Sequence, residues 1–120
     1  VRVHGALTKG KDIIVTLEVR NRSLNEIKDI TVTDVAPQLT QLVQQFDTLK
    51  PKLRKTAEGT EMSWKLDSLK ATEERVINYR IKPTVDVIGS LELPSATMNY
   101  HDKRRVRKSA VSRPVTASKM

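Results

Sequence analysis

Cysteine is absent from this chain. That excludes a disulfide framework, thiolate catalysis and any zinc site built on thiolates, although a cysteine-free domain fits either the cytosol or the exterior. Aromatic residues are scarce: one Trp, two Tyr and one Phe in 120 residues. Val, Ile and Leu must therefore fill most of the interior, which favours thin β-branched strands over a bulky helical core. No run of 18 apolar residues occurs, so no segment reads as a membrane-spanning helix. The N-terminus lacks the basic-then-apolar pattern of a signal peptide. It begins with Val1 rather than Met, as expected of a fragment or a processed chain whose targeting signals lie outside it. Only two histidines are present, and no Gly-rich phosphate loop, nucleophile elbow or metal-ligand pair can be found.

Acidic residues are missing from one region in particular. The formal charge is +8, yet residues 1–102 carry fifteen basic and fourteen acidic side chains, whereas residues 103–120 carry seven basic and no acidic ones. The basicity therefore belongs to the C-terminal end, not to the domain as a whole.

What is present is alternation. Ile13, Val15, Leu17 and Val19 alternate with Ile14, Thr16, Glu18 and Arg20. Met62, Trp64 and Leu66 alternate with Ser63, Lys65 and Asp67, and Ile77, Tyr79 and Ile81 alternate with Asn78, Arg80 and Lys82. A period of two places each apolar set on one face of a sheet. Residues 1–4 predict a first strand, and residues 27–33 another, with Ile30 and Val32 inward. Residues 49–56 predict a strand with Pro51 near its start. Residues 90–102 read as a strand interrupted by Pro94, with Ala96, Met98 and Tyr100 on one face. Residues 86–89 are a connection, and residues 104–111 predict a last, highly basic strand. Leu39, Leu42, Val43 and Phe46 are spaced i, i+3, i+4, i+7, so residues 38–46 are expected to form a short helix or an irregular crossover. The sum is an all-β chain: an antiparallel β-sandwich of seven or eight strands with at most one short helix near residues 38–46. The sandwich is expected over residues 1–111, with residues 112–120 as a frayed tail.

Three ordered segments resemble a known family. Val19-Arg20-Asn21-Arg22-Ser23 followed by Ile30-Thr31-Val32-Thr33-Asp34-Val35-Ala36-Pro37, then Trp64-Lys65-Leu66 with Leu69, Glu73 and Ile77-Asn78-Tyr79, then Leu93-Pro94-Ser95-Ala96 with Tyr100, are similar to the immunoglobulin-like repeats of archaeal and bacterial cell-surface proteins. The family often has Gly in the bend that here holds Ala71-Thr72. The resemblance implies an immunoglobulin-like sandwich serving as a structural or adhesion module of a larger cell-surface or membrane-associated protein. It would have no enzyme activity, cofactor, metal or small-molecule substrate, and neighbouring domains of the same chain as partners. Cell-surface or extracellular location follows from the same likeness. In physical terms Asn21 can satisfy loop backbone, Asp34 can cap a turn or short helix before Pro37, and Trp64 and Tyr79 supply large buried area.

Candidate chemistry is thin. His101, next to Tyr100 and Asp102, reads as a surface histidine at a strand end. Asp29 and Asp34 lie too far apart to form a calcium loop. Asn21-Arg22-Ser23 has the form of a glycosylation acceptor. The strongest candidate is a polyanion contact made by Lys103, Arg104, Arg105, Arg107 and Lys108, which on a strand would set Arg105 and Arg107 on one face. Acidic polymers or an anionic membrane surface would be its partners. Nucleic acid is the weakest candidate, because Tyr100 is the only aromatic nearby to stack on bases. The bland counterpart is an edge strand kept from aggregating by its charge.

Overall fold

The structure is a computed structural model that describes residues 2–7, 12–38, 40–83, 90–112 and 115–118. The strands are β1 (Arg2–Leu7), β2 (Ile13–Arg20), β3 (Ile27–Pro37), β4 (Thr40–Val43), β5 (Lys52–Thr56), β6 (Gly59–Leu69), β7 (Glu74–Pro83), β8 (Ser90–Leu93), β9 (Thr97–His101), β10 (Arg107–Val111) and β11 (Val115–Ser118). They form one sheet in the order β1-β2-β7-β4, a second in the order β10-β9-β3-β6-β5, and a ribbon of β8 with β11. Every pairing is antiparallel. The result is an antiparallel β-sandwich, as the alternation predicts.

The core follows the period of two. Ile13, Val15, Leu17 and Val19 of β2 are buried, and so are Ile77, Tyr79 and Ile81 of β7. Across from them lie Ile30 and Val32 of β3, Met62, Trp64 and Leu66 of β6, and Met98 of β9. The polar bend at residues 70–73 carries the chain from β6 in one sheet to β7 in the other, so the two alternating segments face each other across the interior. Trp64 and Tyr79 stack there, with ring centroids 6.0 Å apart and planes 27° from parallel. The Trp64 indole N–H also donates to the Leu49 carbonyl at 2.9 Å, which fixes the irregular segment leading into β5.

Five expectations are corrected. Residues 40–43 form a strand, not a helix: β4 pairs with β7, Leu42 opposite Ile81. No helix occurs among the described residues. Leu42 and Phe46 do rest against the core, but from a strand and from the irregular stretch after it, so their helical spacing is coincidental. The chain has more strands than the seven or eight expected. Residues 90–102 are two strands, not one, because Pro94-Ser95-Ala96 carries the chain out of the β8 ribbon and into β9 of the second sheet. The basic segment is not a continuous strand from residue 104, since β10 begins at Arg107. Within the stretch expected to fray, the structure differs again: Val115–Ser118 pairs with β8 as β11, and Ser112 is buried with its hydroxyl accepting the Ala96 N–H at 2.8 Å. The connection expected at residues 86–89 lies outside the described residues.

Two loop residues show why the bends hold. Gly59 closes the β5–β6 hairpin at φ +142°, where a Cβ would stand 2.0 Å from the Ala36 carbonyl oxygen, so only glycine fits. Asn21 is buried at the start of the β2–β3 loop. Its Nδ2 lies 2.8 Å from the Asn25 carbonyl, 3.1 Å from that of Leu69 and 3.0 Å from that of Lys70. Its Oδ1 accepts the Ser23 N–H at 3.0 Å, and its own N–H donates to Glu73 at 3.0 Å. One side chain thus ties residues 21–26 to the end of β6 and to the bend at residues 70–73. Nδ2 is the atom a glycan would occupy, so the folded chain has no room for one at Asn21.

Asn21→Ala removes the partner of three carbonyls, that of Leu69 buried and those of Asn25 and Lys70 part-buried, and should lower the unfolding free energy by about 2–3 kcal/mol, read from urea denaturation. A loss under half a kilocalorie, roughly the scale of an unconstrained surface change, would show that the loop is held by other means. Thr72 sits at φ 63°, a left-handed conformation costly for a β-branched residue. Thr72→Gly should raise stability by about 1 kcal/mol, and a lower urea midpoint would contradict the strain.

Candidate functional site

Among the described residues Asp34 is the one buried carboxyl, 1% exposed. It follows Ile30 and Val32 in phase along β3, so the same alternation that buries them turns Asp34 inward. The expected cap role at the strand end is realised only by the bond that Asp34 Oδ1 accepts from the Val35 N–H at 2.8 Å. Its other oxygen accepts the Tyr79 hydroxyl from the opposite sheet at 2.7 Å. Sequence reasoning singled out both residues but not their contact. The signal was available, since Asp34 and Tyr79 both fall in the inward register. Burial pushes the Asp34 carboxyl up from 3.8 to about 6, against the opposing pull of the Tyr79 and Val35 bonds. Burial, and then the Asp34 charge and hydrogen bond, push the Tyr79 phenol well above its ordinary value. Asp34 and Tyr79 are both almost fully buried, so their geometry is that of a structural link. A shallow groove alongside β4 is lined by Gln41, Leu42, Val43, Gln44 and Lys82, with no carboxylate among these residues.

His101 does not point freely into solvent. Its Nδ1 lies 3.0 Å from Asp29 Oδ2, and Asp29 occupies the left-handed position, φ 51°, where the register between β3 and β9 shifts. The two side chains form a partly exposed surface pair. Among the described residues no three His, Asp or Glu side chains converge on a point that could hold a metal ion.

The residues predicted as a polyanion contact divide into two groups. Arg107 and Lys108 lie on β10, which stands at the edge of the five-stranded sheet. Charge at that place blunts edge-to-edge pairing, and Lys108 is further committed to Asp102 at 3.4 Å. Lys103, Arg104 and Arg105 lie in the loop that joins β9 to β10. Arg105 is held at φ 61° and does not share a strand face with Arg107. Asp102 builds this loop: its Oδ1 accepts the N–H groups of Arg104 and Val106, each at 2.9 Å. The Val106 N–H is the main reason that the Asp102 carboxyl stays below its ordinary value. The loop is therefore a fixed mount for three exposed cations.

Because folded Asp34 takes up its proton near pH 6 and unfolded Asp34 near 3.8, the folded state binds more protons between those values. Stability contributed at this site should fall as pH rises through that window, by about 3 kcal/mol in all, and stay flat outside it. The check is the difference in urea unfolding free energy between the native chain and Asp34→Asn, followed across the window. The native chain should lose ground to the variant as pH rises, and a difference independent of pH would refute the assignment.

No protein-family model matches the chain, and no curated protein matches it at a significant level. Solved structures share its architecture. A variant of BcpA, the major pilin subunit of Bacillus cereus, aligns over 94% of this chain and 36% of its own, with a TM-score of 0.65 and 14% identity. ACE19, the collagen-binding subdomain of the Enterococcus faecalis surface protein ACE, aligns over 98% of this chain and 96% of its own, with a TM-score of 0.64 and 12% identity. An inactive mutant of a GH20 exo-β-N-acetylglucosaminidase from Vibrio harveyi aligns over 92% of this chain but only 17% of its own, with a TM-score of 0.61 and 9% identity. The chain thus spans about a third of the pilin subunit and a smaller part of the glycosidase. At these identities the likeness is one of fold: the chain is an immunoglobulin-like β-sandwich of the architecture found in bacterial surface adhesin and pilin domains.

Proposed function

We propose that the chain is a non-enzymatic structural or adhesion module of a larger prokaryotic cell-surface or membrane-associated protein. The observation that carries this reading is the correspondence with the collagen-binding subdomain over nearly the whole of both chains, which matches one whole module with another. The pilin subunit adds a second surface protein that contains such a module as one part of a longer chain. The interior agrees with a mechanical role. Among the described residues the two sheets are joined by aliphatic packing, a Trp–Tyr stack and a hydrogen bond across the core, and the ionisable pair is buried. Neighbouring domains of the same chain are its first partners, and a macromolecular ligand outside the cell is the second.

Brief trypsin treatment of intact cells of the source organism tests the location. Peptides from this chain should be released before the cells lyse, at a yield close to that of a known surface protein. Recovery only after lysis would reject the surface reading.

A further inference from the structure

The basic loop does not stand alone. β3 begins at Ile27, opposite Leu69 at the end of β6, and its next residue, Lys28, lies opposite His101 at the end of β9. The loops of residues 21–26, 70–73 and 102–106 therefore emerge from neighbouring strands at the same end of the sandwich. Adjacent strands are about 5 Å apart, so the three loops form one continuous rim.

Two features of this rim are unexplained by folding. The first is charge. These acids near it are engaged: Glu74 with Arg20, Glu26 with Lys28, Asp29 with His101, Glu73 with Arg75 and Asp102 with Lys108. Arg22, Lys70, Lys103, Arg104 and Arg105 are exposed and have no acidic partner among the described residues. None of the five is on a sheet edge, so protection against strand pairing does not account for them. The second feature is apolar. Leu24 is 88% exposed at the tip of the first loop, and Val106 is 50% exposed in the third. Leu24 has no freedom to turn inward, because Asn21 holds both flanks of its loop through Ser23 and Asn25. The fold presents a leucine outward on the same rim as these cations.

A soluble polyanion would use the cations and leave Leu24 in water. An anionic bilayer uses both, since phosphate groups lie at its surface and acyl chains lie a few ångströms below. We propose that the rim formed by residues 21–26, 70–73 and 102–106 docks on an anionic lipid bilayer, with Leu24 entering the headgroup–acyl boundary and Arg22, Lys70, Lys103, Arg104 and Arg105 holding lipid phosphates. The long Lys and Arg stems suit that boundary, lying along apolar surface while their charged ends stay with the phosphates. This docking does not rest on the adhesion reading, because an interaction with lipid and the cellular location of the parent protein are measured separately.

Flotation with vesicles tests it. The chain should float with phosphatidylcholine vesicles containing about one part in four of phosphatidylglycerol and remain behind with phosphatidylcholine alone, with binding weakening as salt screens the surface. Leu24→Ser should weaken partition about tenfold, and Arg104→Gln with Arg105→Gln about twenty-five-fold, at roughly fivefold per charge. Leu24 is outside the core, so its variants should fold normally, as checked by an unchanged urea midpoint. In Leu24→Trp the new indole should shift its emission to the blue on anionic vesicles, against the constant background of buried Trp64. No flotation at low salt, or no emission shift, would overturn the proposal. Leu24→Ser binding as well as the native chain, with heparin displacing both, would also overturn it and make the rim a site for soluble polyanions.

Discussion

A carboxyl group with no cation paired to it among the described residues sits between the two sheets, held by a tyrosine from the opposite side. That contact sets how β3 and β7 face each other. Aliphatic packing alone tolerates small sliding between sheets, because one methyl group serves nearly as well as another. A buried carboxyl does not: away from the Tyr79 hydroxyl it would keep only the Val35 N–H, and an unsatisfied buried acceptor is costly. Slipping β3 by one residue would turn Asp34 outward and Val35 inward. The Trp64–Tyr79 stack lies at the same place and holds the ring whose hydroxyl makes the bond. Spacing, register and the position of the largest side chains thus meet around a single hydrogen bond of 2.7 Å.

A different economy governs the loop end. There Asn21 and Asp102 each use a short polar side chain to satisfy several backbone groups, so that two loops without proline or glycine hold a defined shape. Arg105 and Thr72 adopt left-handed backbone in the neighbouring bends. This rigidity is what separates the exposed side chains at that end from the charges along β5 and β10. On the two edge strands, Lys and Arg discourage pairing with other chains. In the loops they have no such duty and simply project from a fixed base.

Much of this was legible in the sequence because it is written in a period of two. β2, β6 and β7 appear as alternation, and the structure buries those same sets. The misreadings have specific causes. Leu42 and Phe46 reach the core from two kinds of backbone, and their spacing imitated a helix. Pro94 was read as an interruption within one strand, whereas the chain changes sheet there. At residues 102–106 a run of cations without Gly or Pro hid a loop, because the turn-forming residue is Asp102, whose work is done through its side chain. The Asp34–Tyr79 contact requires knowing which strands face each other, and that is a property of topology, not of any local pattern. The resemblance to surface repeats placed both residues within its motifs but gave them separate roles.

Asn21 carries a consequence for making this protein in quantity. Hosts that attach sugars to chains as they enter the secretory pathway act on Asn-X-Ser before folding is complete. In such a host the modifying enzyme and the β2–β3 loop compete for one amide nitrogen, and the order of events decides the outcome. A chain that folds first buries Nδ2 against the Leu69 and Lys70 carbonyls. A chain that is modified first can never close that end of the sandwich. The yield of native protein then becomes a matter of timing, which expression in a bacterial cytoplasm removes altogether.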